Sequence, residues 1–148
     1  MTALLLAIFL LLGWQTNDAA TPLAATLFAA DPADAPGAFN PHFTLCAESW
    51  SSNCVVDGDT FWLGGEKIRI ADIDTPETHP ARCAAEQQRG DAATMRLQEW
   101  LNAAPFTLAA IERDRDVYGR KLRLVMRDGG SVGTTLVDEG LARWYAGG

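Results

Sequence analysis

Residues 68–77 read Ile68-Arg69-Ile70-Ala71-Asp72-Ile73-Asp74-Thr75-Pro76-Glu77. The alternation over Glu66 to Ile73 predicts a β-strand with Ile68 and Ile70 on one face and Arg69 and Ala71 on the other. Arg69 therefore needs a polar cavity or solvent. Thr75-Pro76-Glu77 ends the strand, because proline biases Thr75 away from helical geometry and has no N–H to give a ladder. The chain leaves its sheet here and carries two carboxylates, Asp74 and Glu77, with it.

Working outward, Phe43 to Cys46, Cys54 to Val56 and Thr60 to Leu63 are short β-prone pieces, and Gly64-Gly65 is a two-residue hairpin signal. Downstream, a helix is expected from Ala84 to Asn102, where Ala93, Leu97, Trp100 and Leu101 recur at i, i+4, i+7 and i+8. Met95 and Trp100 read as packing residues. Phe106 to Ile111 and Lys121 to Met126 form a strand pair around the Asp114 to Gly119 turn. Asp128-Gly129-Gly130 is another turn, and Thr134 to Glu139 a short helix capped by Gly140. This order of elements suits a small, partly open barrel with packed helices, although pattern alone leaves other α+β folds open.

Two more polar segments flank the first, Val55-Val56-Asp57-Gly58-Asp59-Thr60 and Asp116-Val117-Tyr118-Gly119-Arg120-Lys121-Leu122. Each alone is common, as a turn, a helix start or a hairpin corner. All three in this order, with Asp59, Arg69, Asp74, Glu77 and Arg120 present, make the chain resemble the staphylococcal-nuclease-like (thermonuclease) family from about Cys54 to Trp144. Glu86, Gly90 and the run Leu136 to Ala142 extend the likeness. The resemblance implies a mainly β member of the α+β class over residues 43–148, an OB-fold five-stranded barrel with packed α-helices, whose face commonly binds single-stranded nucleic acid. The sequence departs from the family at Val117, where a basic residue is usual, and in a shorter loop from Asp59 to Arg69. The family's later C-terminal helix has no counterpart before Gly148. Trp144 and Tyr145 are out of register with the family's base-stacking aromatics and receive no role.

These residue types suit one chemistry. Phosphodiester hydrolysis needs positive charge on the phosphate, an activated water and fixed positions. Asp59 and Asp74 together offer hard oxygens for Ca²⁺, while their like charges oppose close approach without a cation. The resemblance adds the carbonyl oxygen of Thr75 as a third metal ligand. Glu77 is then placed to accept a proton from water or to orient it, two roles the sequence does not separate. Arg69 and Arg120 offer paired donors that stay charged at any working pH. Asp57 reads as a turn residue. Tyr118 reads either as a phosphate contact or as a turn residue packed on the barrel.

The formal charge of −7 is unevenly spread: residues 1–66 hold seven acids and no base, while 67–148 hold twelve of each. Arg113, Arg115, Arg120, Lys121, Arg123 and Arg127 form a local basic stripe on a neutral body, enough for an enzyme that must release its substrate. Arg113, Arg115 and Arg127 read rather as an ordinary solvated hairpin. Cys46, Cys54 and Cys83 lack zinc spacing, and export would give one disulfide and one leftover thiol, with the pair left open. His42 and His79 read as surface residues.

Ala3 to Trp14 is an unbroken apolar run, short for a membrane span and suited to an export signal. Residues 1–20 are expected to be a signal peptide or an N-terminal membrane anchor, and 21–42 a Pro/Ala-rich linker. The expected protein is a secreted or periplasmic, Ca²⁺-dependent nuclease acting as a monomer, without a stable protein partner, on DNA and RNA, single strands preferred. The resemblance implies that cleavage leaves 3′-phosphates. Two rivals remain: an OB-type binding module without catalysis, and a secreted calcium-binding structural domain, which gives no reason for Arg69 and Arg120.

Overall fold

The computed structural model describes residues 37–145 apart from His79. The expected signal peptide or anchor, most of the expected linker, His79 and the last three residues lie outside it. Five strands of four or more residues carry the fold: β2 (Cys54–Asp57), β3 (Thr60–Leu63), β4 (Glu66–Ile70), β6 (Thr107–Arg115) and β7 (Lys121–Arg127). Two-residue strands β1 (Thr44–Leu45), β5 (Ile73–Asp74), β8 (Gly130–Ser131) and β9 (Arg143–Trp144) trim them, and helices α1 (Ala84–Ala103) and α2 (Val132–Asp138) pack alongside. The order β2-β3-β4-β7-β6, antiparallel except for the parallel β4–β7 pair, is the OB-fold arrangement.

Local chemistry explains the joints. Gly64 and Gly65, with φ of 59° and 84°, make the hairpin between β3 and β4. The expected single strand Glu66 to Ile73 is two strands, because β4 stops at Ile70 and the chain bends through Ala71 and Asp72. Asp72 fastens this bend to α2, accepting a bond from the Ser131 hydroxyl (2.7 Å) while its carbonyl accepts Tyr145 N–H (2.8 Å). A side chain at Gly133 would meet that carboxylate, its Cβ falling 2.5 Å from Asp72 Oδ2. The short helix starts two residues before the expected Thr134, since Ser131 caps it by accepting Thr134 N–H. It ends in a Schellman motif, with Gly140 at φ 72° and Leu141 N–H bonded to Leu136 C=O.

α1 buries Gly90, Ala93, Leu97, Trp100 and Leu101 against the barrel, where Phe43, Phe61, Ile68, Ile70 and Phe106 fill the core. Burial of this stripe dominates the attachment, at roughly 25 cal/mol per Å² of apolar area removed from water. Met95 is 53% exposed and contributes no core packing, because it lies off that stripe. Arg127 finishes the helix by donating to the carbonyls of Trp100, Ala104 and Pro105 and covering the Trp100 ring at 3.7 Å. It thereby satisfies orphaned C-terminal acceptors. Packing begins ahead of Phe43, since Phe39 exchanges two backbone bonds with Phe106.

The disulfide joins Cys46 to Cys54, eight residues apart, and Cys83 is the free, exposed thiol among the described residues. This loop closure is worth about 2–3 kcal/mol in the chain-entropy picture. The double variant Cys46→Ala/Cys54→Ala should lose about that much in urea unfolding. Thiol titration of the native parent should find one reactive group; three would contradict the pairing.

Candidate active site

The register of β2 on β3 shifts between Val55 and Asp57, and the turn that follows aims Asp59 inward. Asp57 keeps a turn role: its Oδ1 accepts Asp59 N–H at 3.1 Å. Asp59 is only 6% exposed. Its Oδ2 accepts both the N–H and the hydroxyl of Thr75, each at 3.0 Å, and meets Arg69 Nη1 at 2.7 Å. Its Oδ1 accepts the Thr60 hydroxyl at 3.0 Å. Burial, reinforced by the charge of Asp57, pushes the Asp59 carboxyl up to about 6 despite Arg69 and the Thr75 N–H.

Arg69 stands on β4 opposite buried Ile68 and Ile70, as the alternation requires. Its guanidinium also donates to Ile70 C=O (3.1 Å) and approaches Asp74 Oδ1 at 3.3 Å, so it bridges the two aspartates. Asp74, on β5, gives its other oxygen to Arg143 of β9, at 3.0 Å from Nε and 2.6 Å from Nη2. Glu77 is exposed at the end of the segment that Pro76 turns out of the sheet.

The floor beneath this segment has no room for side chains. A Cβ on Gly58 would fall 2.6 Å from Ala93 Cβ and 2.9 Å from Thr75 Cγ2, and one on Gly90 would fall 2.7 Å from Pro76 O. Two glycines therefore let α1 press directly on the hairpin turn and on Thr75-Pro76-Glu77.

On the facing wall, Arg120 follows Gly119 in the β6–β7 connection. Asp116 holds it, accepting Arg120 N–H (2.9 Å), Arg120 Nε (2.6 Å) and Tyr118 N–H (2.9 Å). Burial raises the Asp116 carboxyl, but the bonds from Arg120 outweigh it and leave the group below the usual range. Tyr118 is 80% exposed, with the Arg120 guanidinium 5.3 Å from its ring centre, so it does not pack into the barrel.

Asp59, Arg69, Asp74, Thr75, Glu77 and Arg120 all line one cleft of about 450 Å³, together with Arg113, Asp116, Tyr118 and Tyr145. Three other arginines of the basic stripe serve structure: Arg115 pairs with Glu66, Arg123 with Asp114, and Arg127 caps α1. Sequence reasoning missed Asp116, whose side chain bonds two residues ahead in the Asx-turn manner that an Asp before a Tyr-Gly pair can signal. It also missed Arg143, whose partner lies 69 residues away and leaves no local trace.

The donor set is all oxygen. No group of three or more His, Cys, Asp or Glu suited to a metal exists among the described residues. A cation would therefore need the two aspartates plus backbone oxygen and water, which suits Ca²⁺. Both aspartates already meet Arg69, and Asp74 also meets Arg143, so a cation would have to take the place of these guanidiniums.

The family model for the staphylococcal nuclease homologue matches residues 67–147, more than half of the chain. Two Bacillus subtilis (strain 168) proteins are 43% identical over 94 residues, 60% of this chain: Endonuclease YncB, with 44% of its own length covered, and SPbeta prophage-derived endonuclease YokF, with 31%. The chain spans less than half the length of either relative.

Gly58→Ala should destabilise the fold by about 1–3 kcal/mol, because the new methyl meets Ala93 and Thr75 in a packed interface. Denaturant unfolding checks this, and an unchanged midpoint would mean that the two elements are not pressed together.

Proposed function

Because the chain belongs to the family of staphylococcal nuclease homologues, we propose that it is a Ca²⁺-dependent nuclease hydrolysing phosphodiester bonds of DNA and RNA with low sequence specificity. The observation that carries this reading is the cleft that gathers Asp59, Asp74, Glu77, Arg69 and Arg120 from separate segments. The two relatives named as endonucleases support it.

Asp59, Asp74 and the Thr75 carbonyl would hold Ca²⁺. When bound, the ion supplies Lewis-acid charge beside the phosphoryl oxygens. Glu77, exposed at the cleft edge, accepts a proton from the attacking water or orients it. Arg120, braced by Asp116, donates to the phosphate as charge builds in the pentacoordinate state. Arg69 does the same from the opposite wall, at the cost of loosening its present bonds to the aspartates. Breaking the bond from phosphorus to the 5′-oxygen leaves a 3′-phosphate. An open OB-fold face favours single strands.

The protein is further proposed to be a monomer exported to the cell exterior or periplasm, or anchored facing outward. The Cys46–Cys54 disulfide supports an oxidising compartment.

Release of acid-soluble nucleotides from heat-denatured DNA should require Ca²⁺ and stop in EGTA. Glu77→Gln and Arg120→Ala should each lower kcat by about 10²- to 10³-fold, and Arg120→Lys should restore little, because a point charge does not replace a planar fork. A folded parent that binds oligonucleotide without cleaving it would instead indicate an OB-type binding module.

A further inference from the structure

A second cleft, of about 490 Å³, shares Asp74, Thr75, Pro76 and Glu77 with the first as a common wall. Three guanidiniums from three parts of the chain border it: Arg82 from the loop before α1, Arg89 from its second turn and Arg143 from β9. The Arg82 and Arg143 side chains are 88% and 81% exposed. Arg82 meets Glu86 through Nε and Nη2, and Arg143 meets Asp74 through the same two nitrogens. A guanidinium carries five N–H donors. Most of the donors around this cleft thus have no acceptor among the described residues.

The setting selects the ligand. A chain of formal charge −7 attracts a polyanion only where cations are gathered. The reaction centre lies just across the Asp74–Glu77 wall, and a bond cut inside a strand has further phosphates beside it. Arginine's planar donors match phosphate oxygens. Asp74, Glu77 and Glu86 in the same cleft match the three arginines in formal charge, so the contact rests on the unused guanidinium donors and favours release over permanent capture.

We propose that this second cleft is a subsite for a neighbouring phosphate of the same polynucleotide strand, with Arg82, Arg89 and Arg143 as its donors. The inference rests on the nuclease reading above. It makes the enzyme length-selective: strands long enough to cross Glu77 gain a contact that a dinucleotide does not reach.

The test measures Ca²⁺-dependent cleavage of a dinucleotide and of an octanucleotide by the full chain and by Arg89→Ala. The subsite predicts that Arg89→Ala raises KM for the octanucleotide about tenfold, the scale of one lost charge-assisted contact, with kcat and the dinucleotide KM within about twofold of the parent. An octanucleotide KM unchanged in Arg89→Ala, or an equal rise for both substrates, overturns it while leaving the nuclease reading intact.

Cys83 gives a readout independent of turnover, because this exposed thiol lines the same cleft. In Glu77→Gln with Ca²⁺, the octanucleotide should slow alkylation of Cys83 by neutral iodoacetamide several-fold, and the dinucleotide should not. A parent that cleaves neither substrate defeats the nuclease reading. Cys83 protection then decides the subsite alone: length-dependent protection sustains a strand-binding cleft, and its absence ends the proposal.

Discussion

The bonds from Thr75 and Arg69 to the carboxylate of Asp59 are what the rest of this structure depends on. They tie the β2–β3 turn to the point where the chain leaves the sheet, and they reach Asp74 through the second arm of the same guanidinium. This carboxylate is buried, and burial together with Asp57 disfavours its charge. A buried anion is tolerated only when donors and positive charge surround it. Thr75 supplies donors and Arg69 supplies charge, so the fold and the proposed chemistry draw on the same groups.

That economy shapes the surroundings. Gly58 and Gly90 let α1 press on both ends of the constellation without a side chain between them. Asp116 does for Arg120 what Asp59 does for Arg69, fixing a guanidinium by direct contact, although from an exposed turn. Arg143 closes the remaining oxygen of Asp74 and marks the border between the two clefts. Net acidity and the proposed phosphate handling are compatible because Arg69 and Arg120 face one cleft from opposite walls while Arg115, Arg123 and Arg127 serve structure.

Much of this was legible in the sequence because the decisive residues sit in short stretches whose backbone options are few. Pro76 forces the exit after Asp74, Gly64-Gly65 forces the hairpin, and the alternation around Arg69 assigns its face. The six candidate residues could be named, and the OB-fold expected, once these stretches were taken together. What escaped was set by contacts distant in sequence or by small local bends. The break at Asp72 depends on α2, some 60 residues later. The Arg143 pairing depends on β9 docking against β5. Apolar character alone placed Met95 in the packing, while its helical phase puts it in solvent.

The most direct test of the account is thermal unfolding of the full chain in Ca²⁺ and in EGTA, for the parent and for Asp59→Asn. If Asp59 and Asp74 await a cation, Ca²⁺ at about a hundredfold over its Kd should raise the parent's Tm by several degrees or more, corresponding to about 2.7 kcal/mol. Asp59→Asn should lose that rise while remaining folded. Equal melting of the parent in Ca²⁺ and EGTA, or a rise fully retained in Asp59→Asn, would contradict it.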